Sequence, residues 1–328
     1  MGIVLNAPSP ASAYYNQRHA IAATSPRLKR LRDAIGDPVN LSPCQWAQWF
    51  AYAREYAPDL VIELGRGNGN STVAVNEALH QLGHGRLVSF CFTPTWQEVT
   101  VPLLTPLVEP GWFDRVDARV GDILGADFSE VIGDARRVLL IWDAHGFEIA
   151  SLVLGHILPL LADREHFVVM HDISDIRFRD PGETGYAGRE LWQGMNWAHR
   201  NPGSARVCLG WISTIVDQPI AVVDFLTRNR GRLRSADECF HEEIGGAPQR
   251  LAEMKSVLPP EDWSMIADWA WFTLNEWPGP YTFPRFVRPS PAGPDGRTAS
   301  ETGEIQAAST ANLARIVARR LWRRIRRR

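Results

Sequence analysis

Cysteine is scarce and unpatterned in this chain of 328 residues: Cys44, Cys91, Cys208 and Cys239 form no CxxC pair and no zinc spacing. That excludes a disulfide scaffold and leads us to expect a reducing, cytoplasmic setting. Long apolar runs are missing as well. The best candidate, Leu152 to Ala162, is interrupted by His156 and Pro159 and is far shorter than the roughly 18 residues that span a bilayer. The segment MGIVLNAPSP has neither the basic start nor the longer apolar stretch of a signal peptide, and Asn6 stands where a myristoylation signal needs Ser or Thr. Lysine is almost absent, with Lys29 and Lys255 the only two among 35 basic residues. Such a bias towards arginine reports genome composition rather than function. There is no internal repeat.

What is present is globular. The chain is 45% hydrophobic, 22% charged and 10% aromatic, which excludes a wholly disordered or collagen-like protein and suits one large domain with appendages. The formal charge of −2 averages two unlike parts. Residues 310–328 hold eight Arg and no acid, which leaves 27 basic against 37 acidic residues elsewhere, or −10 beside +8.

Residues 1–58 read as a helical lead-in. Ser42-Pro43-Cys44-Gln45 is a capping box with Pro at the first helical position, opening a helix through Trp46, Trp49, Phe50 and Tyr52. Residues 59–230 alternate strand and helix patterns. Strands are expected at Leu60–Leu64, Arg86–Phe92, Arg115–Val120, Arg137–Trp142 and His166–Met170, with helical periods at Ser71–Leu82, Val101–Leu107 and Ile149–Leu161. This alternation predicts a parallel sheet covered on both faces. Ala205–Val216 and Ala221–Leu226, separated by Asp217-Gln218-Pro219, are expected as an antiparallel pair at one edge. Residues 231–287 read as a helical, Trp-rich extension (Trp263, Trp269, Trp271, Trp277). Residues 288–312, rich in Pro, Gly, Ser and Thr, read as a disordered linker.

The sharpest local signal is Val61-Ile62-Glu63-Leu64-Gly65-Arg66-Gly67-Asn68-Gly69-Asn70-Ser71-Thr72. A strand runs into an acid, then three alternate glycines, then a helix start whose free amides suit an anionic ligand. The third glycine of a dinucleotide fingerprint would fall on Asn70, and the G-K-[ST] of a P-loop is absent. A second signal is Trp142-Asp143-Ala144-His145 after the fourth strand, and a third is His171-Asp172 after the fifth. Ligands of open parallel sheets bind at the carboxyl ends of the strands, so Asp143, His145, His171 and Asp172 are expected to converge there. Two carboxylates and an imidazole suit Mg²⁺ or Mn²⁺; an Asp in that position equally caps the next helix.

Together, Glu63 to Thr72, Gly121-Asp122-Ile123, Trp142 to His145 and His171-Asp172 resemble class I S-adenosylmethionine (SAM) methyltransferases, and more closely the branch of metal-dependent sugar and natural-product O-methyltransferases and cephalosporin-hydroxylase-like proteins. The resemblance covers residues 58–175. It implies a Rossmann-like, doubly wound α/β fold for residues 59–230, with a mostly parallel sheet, an antiparallel edge pair and added N- and C-terminal helices. It implies that Glu63, Gly65, Gly67 and Gly69 line the methionine and ribose end of SAM and that Asp122 sits by the adenine. Asp143, His171 and Asp172 would bind metal. Asp143 and His145 would be catalytic, with His145 near the acceptor hydroxyl as proton acceptor. The implied activity is O-methylation of a sugar, glycan or related polyol. Two departures stand out: Cys91 replaces the acid expected at the end of the second strand, with Glu98 the next acid, and Arg66 places a cation inside the glycine turn. The rival readings are a metalloprotein of this fold with hydroxylation or hydrolysis chemistry, and a non-catalytic binding module that has lost SAM.

Two peripheral segments complete the expectations. Tyr186, Trp192 and Trp197 suit stacking on a sugar ring or, for the two Trp, the buried side of a helix; His241-Glu242-Glu243 reads as an exposed helix face. In residues 313–328, Leu313, Ile316, Val317, Leu321 and Ile325 recur at helical spacing among Arg residues, with Trp322 beside them. An anionic membrane surface is the expected partner of this helix, placing the protein at the periphery of a membrane, and nucleic acid is the competitor.

Overall fold

The structure, a computed structural model, describes residues 8–36, 41–144, 147–171, 221–263 and 269–288. Three helices lead in: α1 (Pro10–Asn16), α2 (Arg18–Ile35) and α3 (Pro43–Tyr56). The capping box of α3 forms as its sequence predicts. The Gln45 amide donates to Ser42 Oγ at 3.2 Å, and the Ser42 amide donates to Gln45 Oε1 at 2.8 Å. Gly65 to Gly69 then connect β1 (Leu60–Leu64) to α4 (Asn70–Leu82). β2 (Arg86–Cys91), β3 (Val116–Val120), β4 (Arg137–Trp142) and β5 (Glu165–His171) follow, then the short β6 (Arg234–Ser235) and β7 (Trp269–Phe272).

The sheet order is β3-β2-β1-β4-β5-β7-β6. β1 pairs in parallel with β2 and β4, which extend in parallel to β3 and β5. The strand order therefore reverses at β1 and β4, which is the switch point of a doubly wound sheet. β7 runs antiparallel to both β5 and β6. The fold is thus the expected Rossmann-like α/β arrangement, a mostly parallel sheet with an antiparallel edge.

Alternation along the strands assigns the two faces. Val61, Leu87, Leu139, Phe167 and Val169 pack with Trp46, Trp49 and Tyr52 of α3 and with α4. Ile62, Val88, Leu140, Trp142 and Val168 pack with the helical segments Phe128–Ile132 and Phe147–Leu161 on the other side. The lead-in is therefore built into one core, and α3 covers the sheet beside α4.

Among the described residues the antiparallel edge is made by β6 and β7, and Ala221–Leu226 is not a strand. Residues 221–228 are helical: Val222, Phe225 and Leu226 are buried while Val223 and Asp224 face out, a period of 3.6 rather than 2. Ala205–Val216 lies outside the described residues. Both strands of the pair, β6 and β7, come from the segment expected to be helical, where Trp269–Phe272 is buried on both faces. Glu243, expected on an exposed face, accepts a 2.5 Å hydrogen bond from Ser9 Oγ and ties the start of α1 to the chain after β6. No helix among the described residues is long and apolar enough to cross a membrane.

Candidate functional site

The carboxyl ends of β1 and β4 meet at the switch point. The Asp143 amide donates to the Leu64 carbonyl at 2.9 Å, and a Cβ on Gly65 would stand 2.6 Å from the Asp143 carbonyl oxygen. Gly65 also has φ +99°, so glycine is required there both by conformation and by the approach of β4. Gly69 meets the Trp96 ring in a similar way, 2.5 Å from a Cβ position. Gly67 differs. Its φ is +53°, a Cβ would meet nothing within 4 Å, and it lines a cavity.

That cavity, about 30 Å³, is walled by Leu41 and Trp49 from the lead-in, by Arg66, Gly67, Asn70 and Ser71 of the turn and α4, and by Ile141, Asp143 and His171 from β4 and β5. Asp143 Oδ1 and His171 Nδ1 lie 3.2 Å apart, so the carboxylate fixes the imidazole ring. Three buried N–H donors on wall residues have no hydrogen-bond partner among the described residues: Trp49 Nε1, Arg66 Nε and Asn70 Nδ2. Asn70 Oδ1 is occupied by the Trp46 indole N–H at 3.1 Å, which fixes the direction of that amide. The first turn of α4 adds further donors, because its cap residue Gly69 has no side chain to satisfy them.

Glu63 faces inward. It is fully buried and accepts Ser71 Oγ and Thr72 Oγ1, each at 2.6 Å, together with Ser89 Oγ. Burial pushes its carboxyl above the usual range, and the three hydroxyls and Arg66 pull it back. Glu63 is thereby committed to stitching β1, β2 and α4 together and does not line the cavity. Asp122 is exposed and caps the turn after β3, accepting from the Leu124 amide at 2.9 Å. Cys91, at the end of β2, is buried with Sγ 3.5 Å from Thr93 Oγ1. Arg66 is buried rather than turned to solvent.

Of the expected site residues, the structure brings Gly65, Gly67, Asp143 and His171 together. His145, Asp172, Tyr186, Trp192 and Trp197 lie outside the described residues. Among the described residues no group of three or more His, Cys, Asp or Glu gathers as a metal site. Trp49 and Asn70 were not singled out by the sequence; the position of Asn70 directly after the third glycine was the available signal, whereas Trp49 reaches the site only through the packing of α3.

No family model and no curated protein matches the chain. Several solved structures resemble it. The Podospora anserina methyltransferase PaMTH1, bound to SAH, is 12% identical over 64% of this chain and 82% of that one, with a TM-score of 0.43. Cofactor-bound Rv0187 from MTB is 15% identical over 76% and 90%, with a TM-score of 0.43. The O-methyltransferase TomG from Streptomyces achromogenes, in complex with SAM, is 15% identical over 63% and 81%, with a TM-score of 0.38. The fold assignment stands independently on the strand order and register of the sheet.

Proposed function

We propose that this chain is a SAM-dependent O-methyltransferase acting on a sugar, glycan or related polyol, with the amino-acid end of SAM in the cavity beside Gly67. The observation that carries the reading is the donor set: Trp49 Nε1 and Asn70 Nδ2, buried and without a partner among the described residues, stand with an uncapped helix start on one wall, and Asp143 lines the other. Donors on one side and a carboxylate on the other suit the carboxylate and ammonium of an amino acid. When bound, SAM supplies an electrophilic methyl group on a sulfonium. The chain's part is to hold that group in line with the acceptor oxygen and to take up the acceptor's proton. Asp143 borders the cavity, and His145, two residues on, is the proposed proton acceptor.

A divalent cation fits the described residues only in part. Asp143 and His171 are bonded to each other, and two such groups fall short of a cation's coordination shell. Metal assistance in this proposal therefore requires Asp172 as a third ligand. Cys91 favours a second reading, a binding module without transfer, because a thiol at the end of β2 offers no carboxylate to ribose hydroxyls.

Incubation with SAM and a panel of sugars, with and without Mg²⁺, tests both readings through release of S-adenosylhomocysteine. Product dependent on an acceptor is expected, and Asp143→Ala should reduce it at least a hundredfold with the fold retained. Binding of SAM without any transfer would favour the second reading, and full activity in Asp143→Ala would remove that residue from the mechanism.

A further inference from the structure

A side chain between two turn glycines has solvent as its default direction, yet Arg66 is 2% exposed. Its Nη1 donates to the Ser89 carbonyl at 2.6 Å and to Ser89 Oγ at 3.1 Å, and its Nη2 donates to the Arg119 carbonyl at 3.3 Å. The Trp96 ring lies 5.9 Å from Cζ. A guanidinium taken out of water needs partners and a counter-charge. The counter-charge is Glu63, reached through Ser89, whose hydroxyl accepts from Arg66 and donates to the carboxylate. Ser71 and Thr72 occupy the remaining reach of Glu63. Of the three nitrogens of Arg66 only Nε has no partner among the described residues, and Arg66 is part of the cavity wall with Trp49 and Asn70. Three N–H groups on residues of that wall thus have no partner among the described residues, one of them on the Arg66 guanidinium, whose counter-charge Glu63 does not itself line the cavity.

We infer that Arg66 is the specificity-determining residue of this cavity, selecting ligands that place a carboxylate against the start of α4, and that Ser89 and Glu63 are positioning residues that hold the guanidinium. The inference rests on the cofactor reading above, in which the selected group is the α-carboxylate of SAM. It changes the part played by Glu63, which acts on the ligand through Arg66 and Ser89 rather than by touching it.

The test is calorimetric titration of the full chain with SAM and with decarboxylated SAM, which keeps the sulfonium, ribose and adenine and lacks only the carboxylate. SAM should bind at least tenfold more tightly to the wild type. In Arg66→Gln the two ligands should differ by less than threefold, because only SAM loses affinity. Ser89→Ala, which removes one oxygen and spares the packing, should give an intermediate ratio, whereas loss of a merely structural residue would weaken both ligands alike. Equal affinities in the wild type overturn the inference and leave the cofactor reading standing. Binding of neither ligand overturns both.

Discussion

His166 shows how a buried titratable group is held in one state. It is fully buried in β5; its Nδ1 is 2.9 Å from the Arg164 carbonyl and its Nε2 accepts the Leu274 amide at 3.2 Å. Desolvation pulls its pKa from 6.5 down to about 4, against the pull of its backbone bonds. The unfolded chain takes up a proton near pH 6.5 and the folded one only near 4, so this residue's contribution is intact above 6.5 and is lost as pH falls towards 4. Denaturant titrations between those values should show a loss of about 3 kcal/mol from this group, and His166→Gln should flatten that part of the profile. At the turn, Gly65→Ala should destabilise by at least about 2 kcal/mol, since both φ and the Asp143 backbone resist a Cβ; denaturant midpoints check this. The turn was legible because glycine at alternate positions reports backbone need directly. The inward course of Arg66 and Glu63 was not, because it depends on Ser89 and Arg119 of neighbouring strands, which no local pattern connects to the turn.

At the level of elements, α3 links sequence to site most plainly. Its capping box was readable from four residues, and Ser42→Ala should cost about 1 kcal/mol, measurable as a shift in thermal midpoint. That the helix also supplies Trp49 to the cavity was hidden, because the contact is set by packing against β7, where the Trp49 and Trp269 rings lie 4.0 Å apart. β7 is ambiguous in the sequence for a definable reason. A four-residue run buried on both faces carries no alternation, and short apolar runs fit helix and strand equally. Residues 221–228 failed in the opposite direction, since six residues, Ala221–Leu226, were too few to separate a period of 3.6 from an edge strand. The five parallel strands were legible because each, a mostly apolar run or, in β3, an alternation of Val and Ala with Asp and Arg, is bounded by turn residues and followed by a helical period or a turn.

Across the whole molecule, the charge division remains a sequence-level expectation with its own test. The cationic, amphipathic residues 313–328 should carry the full chain onto vesicles containing anionic lipid in a flotation assay, and residues 1–309 alone should stay behind. Equal flotation would end the membrane assignment, and capture by nucleic acid alone would favour the competitor. The central claim, that SAM lies against the glycine turn, is tested most directly at Gly67. A Cβ there touches nothing in the protein, and Asn tolerates the left-handed backbone better than other side chains, so Gly67→Asn should stay folded while filling the space the ligand needs. By calorimetry, the wild type should bind one SAM per chain and Gly67→Asn should lose at least tenfold in affinity with its thermal midpoint little changed; equal binding by the two proteins, or none by the wild type, would contradict the account.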